Sequence, residues 1–349
     1  LVALGAEVVK VEPPSGDPLR RLGEPDTGGL TAFYKLVNSG KTVVRLDLKS
    51  EEGGQVLAGL LARADVLVES YRPGTLERLG FGPTRMAGLN PGLVHVALSG
   101  WGQSGPYRLR AGHDLNYMAV GGGLSLSGTR EAPTVAFPPT ADHASALQAA
   151  VAVCAALFDR TRTGRGAYLD VSLMETVLGW QANTLTEAER GRPQERGCGM
   201  LSGGTAWYRV YRTADGRFMA IGAVEEKFWD AFCQAVGRPE WSARHADPLP
   251  QNDLIGEVAA MFARRPQADW AALLADIDCC VEPVLDPAEV PDHPQVRARG
   301  QVRRHDGLVE VLFGLHADGR PPAARRPVQE LAPAQVLAAW RHRAEDTEG

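Results

Sequence analysis

Three residues have side chains and settings suited to proton or acyl chemistry. Asp142 follows Pro138-Pro139-Thr140-Ala141 and stands immediately before a long, Ala-rich apolar stretch, Ala144–Arg160, which predicts a helix ended by Gly164 and Gly166. At that position it reads as the helix N-cap, a role that stabilises a helix by about 1 kcal/mol and would by itself explain an aspartate there. The same helix end favours the ionised carboxylate, and an ionised carboxylate on a rigid helix start suits a general base or a nucleophile. His113 sits in the polar run Ala111-Gly112-His113-Asp114-Leu115-Asn116-Tyr117, where the alternative is an ordinary hydrogen-bonded surface histidine. Glu225 follows Ile221-Gly222-Ala223-Val224, a place where a solvated glutamate at a helix start is the common occupant. The three lie far apart in sequence, so only the fold can bring them together.

Cations near turns form a second group. Lys49 ends the Thr42–Leu48 strand, and Arg72 and Arg78 flank Pro73-Gly74. Such residues either meet the phosphates of a nucleotide-like ligand or simply face solvent. Gly100-x-Gly102-x-x-Gly105 has the spacing of a dinucleotide fingerprint and follows a strand. No helical pattern follows it to receive a pyrophosphate, so it reads as a glycine-rich turn. Glu12, at a strand end, lacks the preceding glycine turn that a ribose-binding carboxylate would have.

Elements able to position these residues are legible. Ala6–Glu12, Thr42–Leu48, Val66–Glu69, Leu93–Ser99 and Tyr168–Val171 read as strands, with helices at Glu51–Ala62, Ala144–Arg160 and Ser172–Leu185. That alternation predicts an α/β fold with a mostly parallel sheet. Residues 187–204 are polar and rich in glycine, a linker or an ordered loop. Beyond them, two strands flank Thr213-Ala214-Asp215-Gly216, whose Asp-Gly predicts a hairpin. Helices at Glu226–Val236, Leu254–Ala263 and Gln267–Asp276 follow, and Leu331–Arg343 is a last helix. The expected domains are a large α/β domain over 1–186, a linker over 187–203, a small α+β domain over 204–300 and a C-terminal return to the large domain over 301–349.

Composition narrows the class. The 349 residues suit two cores rather than one. A net charge of −5 argues against a protein that binds nucleic acid by neutralising phosphates. Five Lys stand against 32 Arg, a bias that suits bidentate anion contacts. The five cysteines form no CxxC pair, which predicts a reducing, cytoplasmic setting and no cysteine metal site. No unbroken apolar run approaches the roughly 20 residues of a membrane span, so no membrane partner is expected.

Several blocks in one order then carry a resemblance: LGAEVVKVEPPSGDP (4–18), SGKTVVRLDLKS (39–50), ADVLVESYRPGTLERLGFG (64–82), LNPGLVHVALSGWGQSGPY (89–107), AGHDLNYMA (111–119), TGRGAYLDVSLMETV (163–177) and YRTADGRFMAIGAVE (211–225). From Leu4 to about Gly300 the chain resembles the family III CoA-transferases, the group that also contains α-methylacyl-CoA racemase. The resemblance implies a Rossmann-like large domain, a smaller domain, and an interlocked homodimer with its active site between domains of different subunits. Transferases of the family use an aspartate, matching Asp142, as nucleophile through an acyl-enzyme anhydride. Racemases use that aspartate with a histidine, matching His113, as two acid/base groups on opposite faces of the substrate α-carbon, supported by a glutamate matching Glu225. Coenzyme A contacts carried over by motif are Lys49, Tyr71, Arg78 and Leu79. No metal or redox cofactor is implied, since coenzyme A arrives as part of the acyl-CoA substrate.

Residues 200–229 and 276–285 look racemase-like, whereas His143-Ala144-Ser145-Ala146-Leu147 after the aspartate is closer to many transferases. The expected reaction is epimerisation of a 2-methylacyl-CoA, with CoA transfer to a carboxylic acid as the alternative. A non-catalytic CoA-binding scaffold and a nicotinamide-dependent oxidoreductase are the readings from other classes. The family's opening strand and turn precede Leu1, so the sequence is expected to lack its natural N-terminus.

Overall fold

A computed structural model describes residues 1–305 and 308–346. In chain order its first elements are β1 (Val9–Glu12), α1 (Ala32–Asn38), β2 (Thr42–Arg45), α2 (Glu51–Leu61), β3 (Val66–Glu69), α3 (Thr75–Arg78), α4 (Pro83–Leu89) and β4 (Val94–Ser99). Then come α5 (Asp114–Val120), α6 (Thr140–Thr163), β5 (Tyr168–Ser172), α7 (Leu173–Gly179), α8 (Ala182–Glu189), β6 (Tyr208–Arg212) and β7 (Phe218–Gly222). The rest are α9 (Glu226–Ala235), α10 (Asn252–Phe262), α11 (Gln267–Leu274), β8 (Val281–Pro283), α12 (Pro294–Arg299), β9 (Val302–His305), β10 (Leu308–Val311), β11 (Gln329–Glu330) and α13 (Pro333–Asp346).

The fold is mixed α/β with parallel sheets. β1 and β11 both run parallel to the central β2, with Val9 opposite Thr42 and Gln329 opposite Thr42 on the other edge. A second sheet has the order β3-β4-β5, and β3 runs parallel to β4 with Leu67 opposite His95. Burial inside the sheets explains the valines of β2 and β4: Val43, Val44, Val94 and Val96 are all buried. Ser50 caps α2 by accepting the Gly53 N–H at 3.0 Å, and Val56, Leu57, Leu60 and Leu61 form its buried side. α13 closes over α2, where the Trp340 Nε1 donates to the Leu60 carbonyl at 3.2 Å.

Packing divides the chain into two units: 1–109, 146–171 and 287–349 form one, and 110–145 with 172–286 form the other. These limits differ from cuts at 186, 204 and 300, because two segments read with the large domain pack in the second unit. Gly121, at the end of α5, lies so near α7 that a Cβ would fall 2.9 Å from both the Met174 carbonyl and the Val177 side chain. Arg196 ties the glycine-rich 187–203 segment to the connection between α5 and α6, donating to the carbonyls of Thr129, Ser125 and Arg130 at 2.7, 3.2 and 3.3 Å. Beyond the end of α8 at Glu189, that segment is an ordered loop.

The second unit holds an antiparallel sheet of β6, β7 and β8, and Gly216 makes the expected hairpin turn with φ 78°. Its inner face, with Tyr211, Met219 and Ile221, packs on Trp229, Phe232, Phe262 and Trp270. The helix expected over Ser172–Leu185 is two helices, broken around Trp180 and Gln181.

α6 corrects the membrane expectation in part: by length and composition alone it could cross a bilayer. Ala149 and Val153, however, pack on Val94, Val96 and Val171 as a core-facing helix does.

Candidate active site

α6 begins at Thr140, four residues earlier than the Ala144 start that the sequence suggests. Pro138-Pro139 cannot continue a helix backwards, and the first helical residue is Thr140, which makes Asp142 the third residue of the first turn rather than the N-cap. There its own backbone N–H is one of the donors a helix start leaves without an intrahelical partner. The partner comes from another helix: Asp114 Oδ1 accepts it at 3.0 Å. Asp114 opens α5, directly after His113, which is the N-cap of that helix. Asn116 Oδ1 accepts the His113 N–H at 3.0 Å and closes this cap. Two helix starts thus meet, one carrying an imidazole and the other a carboxylate 29 positions later.

Electrostatics agree with that proximity. Partial burial pushes the Asp142 carboxyl up, and the like charge of Asp114 adds to it, while His143 and His113 pull it down. Tyr117, buried on α5, is raised by burial and by the Asp142 charge, and its hydroxyl donates to the Gly112 carbonyl at 2.6 Å. A Cβ on Gly112 would lie 2.8 Å from the Tyr117 ring, so the backbone beside His113 is seated against that ring. Both Asp142 and His113 are exposed to solvent.

Glu225 is elsewhere in the same unit. It is the N-cap of α9, its side chain is exposed, and its charge is felt by the Cys280 thiol. The charged groups that act on Asp142 are Asp114, His143 and His113, without Glu225. Asp114, Tyr117 and His143 are the neighbours that reasoning from sequence missed. An acidic residue following a histidine at a helix start was the available signal for Asp114. For Tyr117 and His143 the sequence offered none.

The coenzyme A candidates lie in the first unit, after the C-terminal ends of parallel strands, where α/β sheets commonly hold ligands. Lys49 is in the turn between β2 and α2 rather than at the strand's end, and its N–H donates to Asp47 Oδ1 at 3.0 Å. Tyr71 follows β3 with its side chain 42% exposed. Arg78 ends α3 and donates to Thr75 Oγ1 at 2.9 Å, and Leu79 caps that helix and packs on the Leu76 and Phe81 cluster.

The other early candidates have structural roles. Gly102 and Gly105 take φ of 84° and 79° in a turn that no helix follows. Glu12, 1% exposed, accepts from Tyr34 Oη at 2.7 Å, Arg20 Nε at 2.7 Å and the Asp17 N–H at 3.0 Å, with Lys10 Nζ at 3.1 Å.

Comparison with known proteins gives consistent matches. The family model described as CoA-transferase family III matches residues 1–328. The chain is 37% identical over 315 residues to α-methylacyl-CoA racemase of Homo sapiens, covering 86% of this chain and 76% of the relative. It is 30% identical over 337 residues to acetyl-CoA:oxalate CoA-transferase of Acetobacter aceti, covering 94% and 86%. Among solved structures, a CaiB/BaiF family protein from Brucella suis superposes with a TM-score of 0.83 at 26% identity, covering 97% of this chain and 93% of that one.

Proposed function

The chain belongs to CoA-transferase family III, an enzyme of its transferase and racemase group, and from that premise we propose that it epimerises a 2-methylacyl-CoA thioester. The single observation that carries this reading is the junction of the two helix starts, with Asp142 held on Asp114 next to His113. A transfer through an aspartyl anhydride needs only the carboxylate. A 1,1-proton transfer needs a second acid/base group close by, and an imidazole is suited to it.

In the proposed reaction one of the pair removes the α-proton and the other returns a proton to the opposite face. Exchange of roles requires similar proton affinities. Burial and Asp114 raise Asp142, which narrows its distance from an imidazole. The enolate oxygen that forms between the two steps would lie by the N-termini of α5 and α6, whose partial positive charge stabilises an anion. Lys49, Tyr71, Arg78 and Leu79 hold the coenzyme A part of the substrate in this reading.

Glu225 enters from a second copy of the chain in an interlocked homodimer. Leu147, Val151 and Phe158, at 57%, 69% and 73% exposure, form an apolar stripe on α6 that such an interface would cover.

The test is a His113→Ala variant assayed for both reactions. Racemisation should vanish while any transfer to a carboxylic acid persists. An acyl adduct on Asp142 trapped by hydroxylamine, in a protein that transfers coenzyme A without racemising its substrate, would select the transferase reading.

A further inference from the structure

The turn that bears Tyr71 rests on a largely buried carboxylate. Glu69 ends β3, and its Oε2 accepts the Tyr71 N–H at 2.7 Å. The side chain is 10% exposed, too buried for a surface charge. Its neighbour is His95 on β4. Leu67 lies opposite His95 in the parallel register, and side chains alternate along a strand, so Leu67, Glu69 and His95 share one face of the sheet. His95 is itself buried, its ring meets Tyr168 of β5 edge-on at 4.9 Å, and its Nε2 lies 3.7 Å from Glu69 Oε1 with no hydrogen-bond partner.

A buried polar atom without a partner is costly and uncommon. Here it faces the second oxygen of the carboxylate whose first oxygen fixes Tyr71. A proton on Nε2 would draw Oε1 toward it and lock the carboxylate in the orientation that Tyr71 needs. From Tyr71 the chain passes through Arg72-Pro73-Gly74, with Gly74 at φ 77°, straight into the short helix that ends at Arg78. The direction in which the chain leaves β3 therefore sets Tyr71 and Arg78 together. Burial, with the Glu69 charge added, pushes the Tyr71 hydroxyl up, which keeps it a neutral phenol able to donate to an anion.

We propose that Glu69, backed by His95, is a positioning residue for the coenzyme: it touches no ligand, but fixes the Tyr71 backbone so that Tyr71 and Arg78 present to one. The inference rests on the reading that Tyr71 and Arg78 contact coenzyme A. The substrate's reacting carbon plays no part in it.

Calorimetry with free coenzyme A tests it in the 349-residue chain. Glu69→Ala should weaken binding about 10-fold or more, the worth of one lost hydrogen bond to a charged group. Glu69→Gln should bind within about 2-fold of the parent, since its amide oxygen still accepts the Tyr71 N–H. In turnover the loss in Glu69→Ala falls on KM rather than kcat. His95→Phe keeps the ring against Tyr168 and should also weaken binding, but add nothing further in a Glu69→Ala background. If Glu69→Ala does not fold, His95→Phe against Glu69→Gln carries the test, with weaker binding expected in the first only. Tyr71→Ala and Arg78→Ala separate the two claims. If both weaken coenzyme A binding while Glu69→Ala and His95→Phe do not, the positioning role is overturned. If neither weakens it, the coenzyme reading itself fails.

Discussion

Asp114 Oδ1 accepts the backbone N–H of Asp142 at 3.0 Å, so the residue following His113 supplies the partner for the first turn of α6. One carboxylate thereby does two things. It pins the start of one helix to the start of another, and it sets a negative charge beside a second carboxylate that burial already pushes up.

Asp114→Asn separates these effects. The asparagine oxygen still accepts the N–H, but the charge is gone. Asp142 should then titrate lower, and the acidic limb of the kcat/KM profile should move to lower pH. Asp114→Ala should also loosen the helix junction and lower kcat. A pH–rate profile of the two variants checks both directions.

His113→Ala removes one of the two proposed proton carriers. Loss of a positioned acid/base group lowers the rate by at least about 100-fold. Measured racemisation should fall accordingly, while coenzyme A affinity stays close to that of the parent.

Glu12 governs stability in acid. Burial alone would raise its carboxyl, but donors from Tyr34, Arg20, Asp17 and Lys10 outweigh it and bring it from 4.5 down to about 2. A depressed carboxyl stabilises the fold above its unfolded pKa and loses that contribution as the pH falls through the folded one. Stability should therefore decline between pH 4.5 and about 2. Glu12→Gln should cost about 3 kcal/mol near neutrality and flatten that decline, because it removes the buried carboxylate and leaves half-buried Arg20 with only its partner Glu330. Denaturant titrations at several pH values measure this.

Much of this architecture was legible because its signals are local. The β-strands of Val9–Glu12, Thr42–Arg45 and Val66–Glu69, the Ser50-capped helix and the Asp215-Gly216 hairpin are written in runs of a few residues. What could not be read depends on distant packing. Asp142 looked like an N-cap because the last apolar residues before it were too few to show that the helix had already begun at Thr140. The role of Asp114 requires residues 28 positions apart to meet. The second unit gathers 110–145 with 172–286 because α5 fits against α7, a complementarity of surfaces that no periodicity displays. β11, two residues long, is recognisable as a strand only beside β2.

The apolar stripe of α6 carries the prediction about assembly. Sedimentation should give twice the chain mass for the parent. Val151→Glu combined with Phe158→Glu places two charges on the face proposed to be covered and should abolish or weaken the dimer. A parent protein that sediments as a fully active monomer would remove the dimer, and with it the contribution of Glu225 from a second copy.

The central claim is two-sided proton transfer at the α-carbon, and incubation of one enantiomer of a 2-methylacyl-CoA in deuterated water tests it most directly. Deuterium should enter the α-position as the chirality of the substrate is lost, both dependent on Asp142 and His113. Retained chirality with no α-deuterium, in a protein that still moves coenzyme A between carboxylic acids, would contradict it.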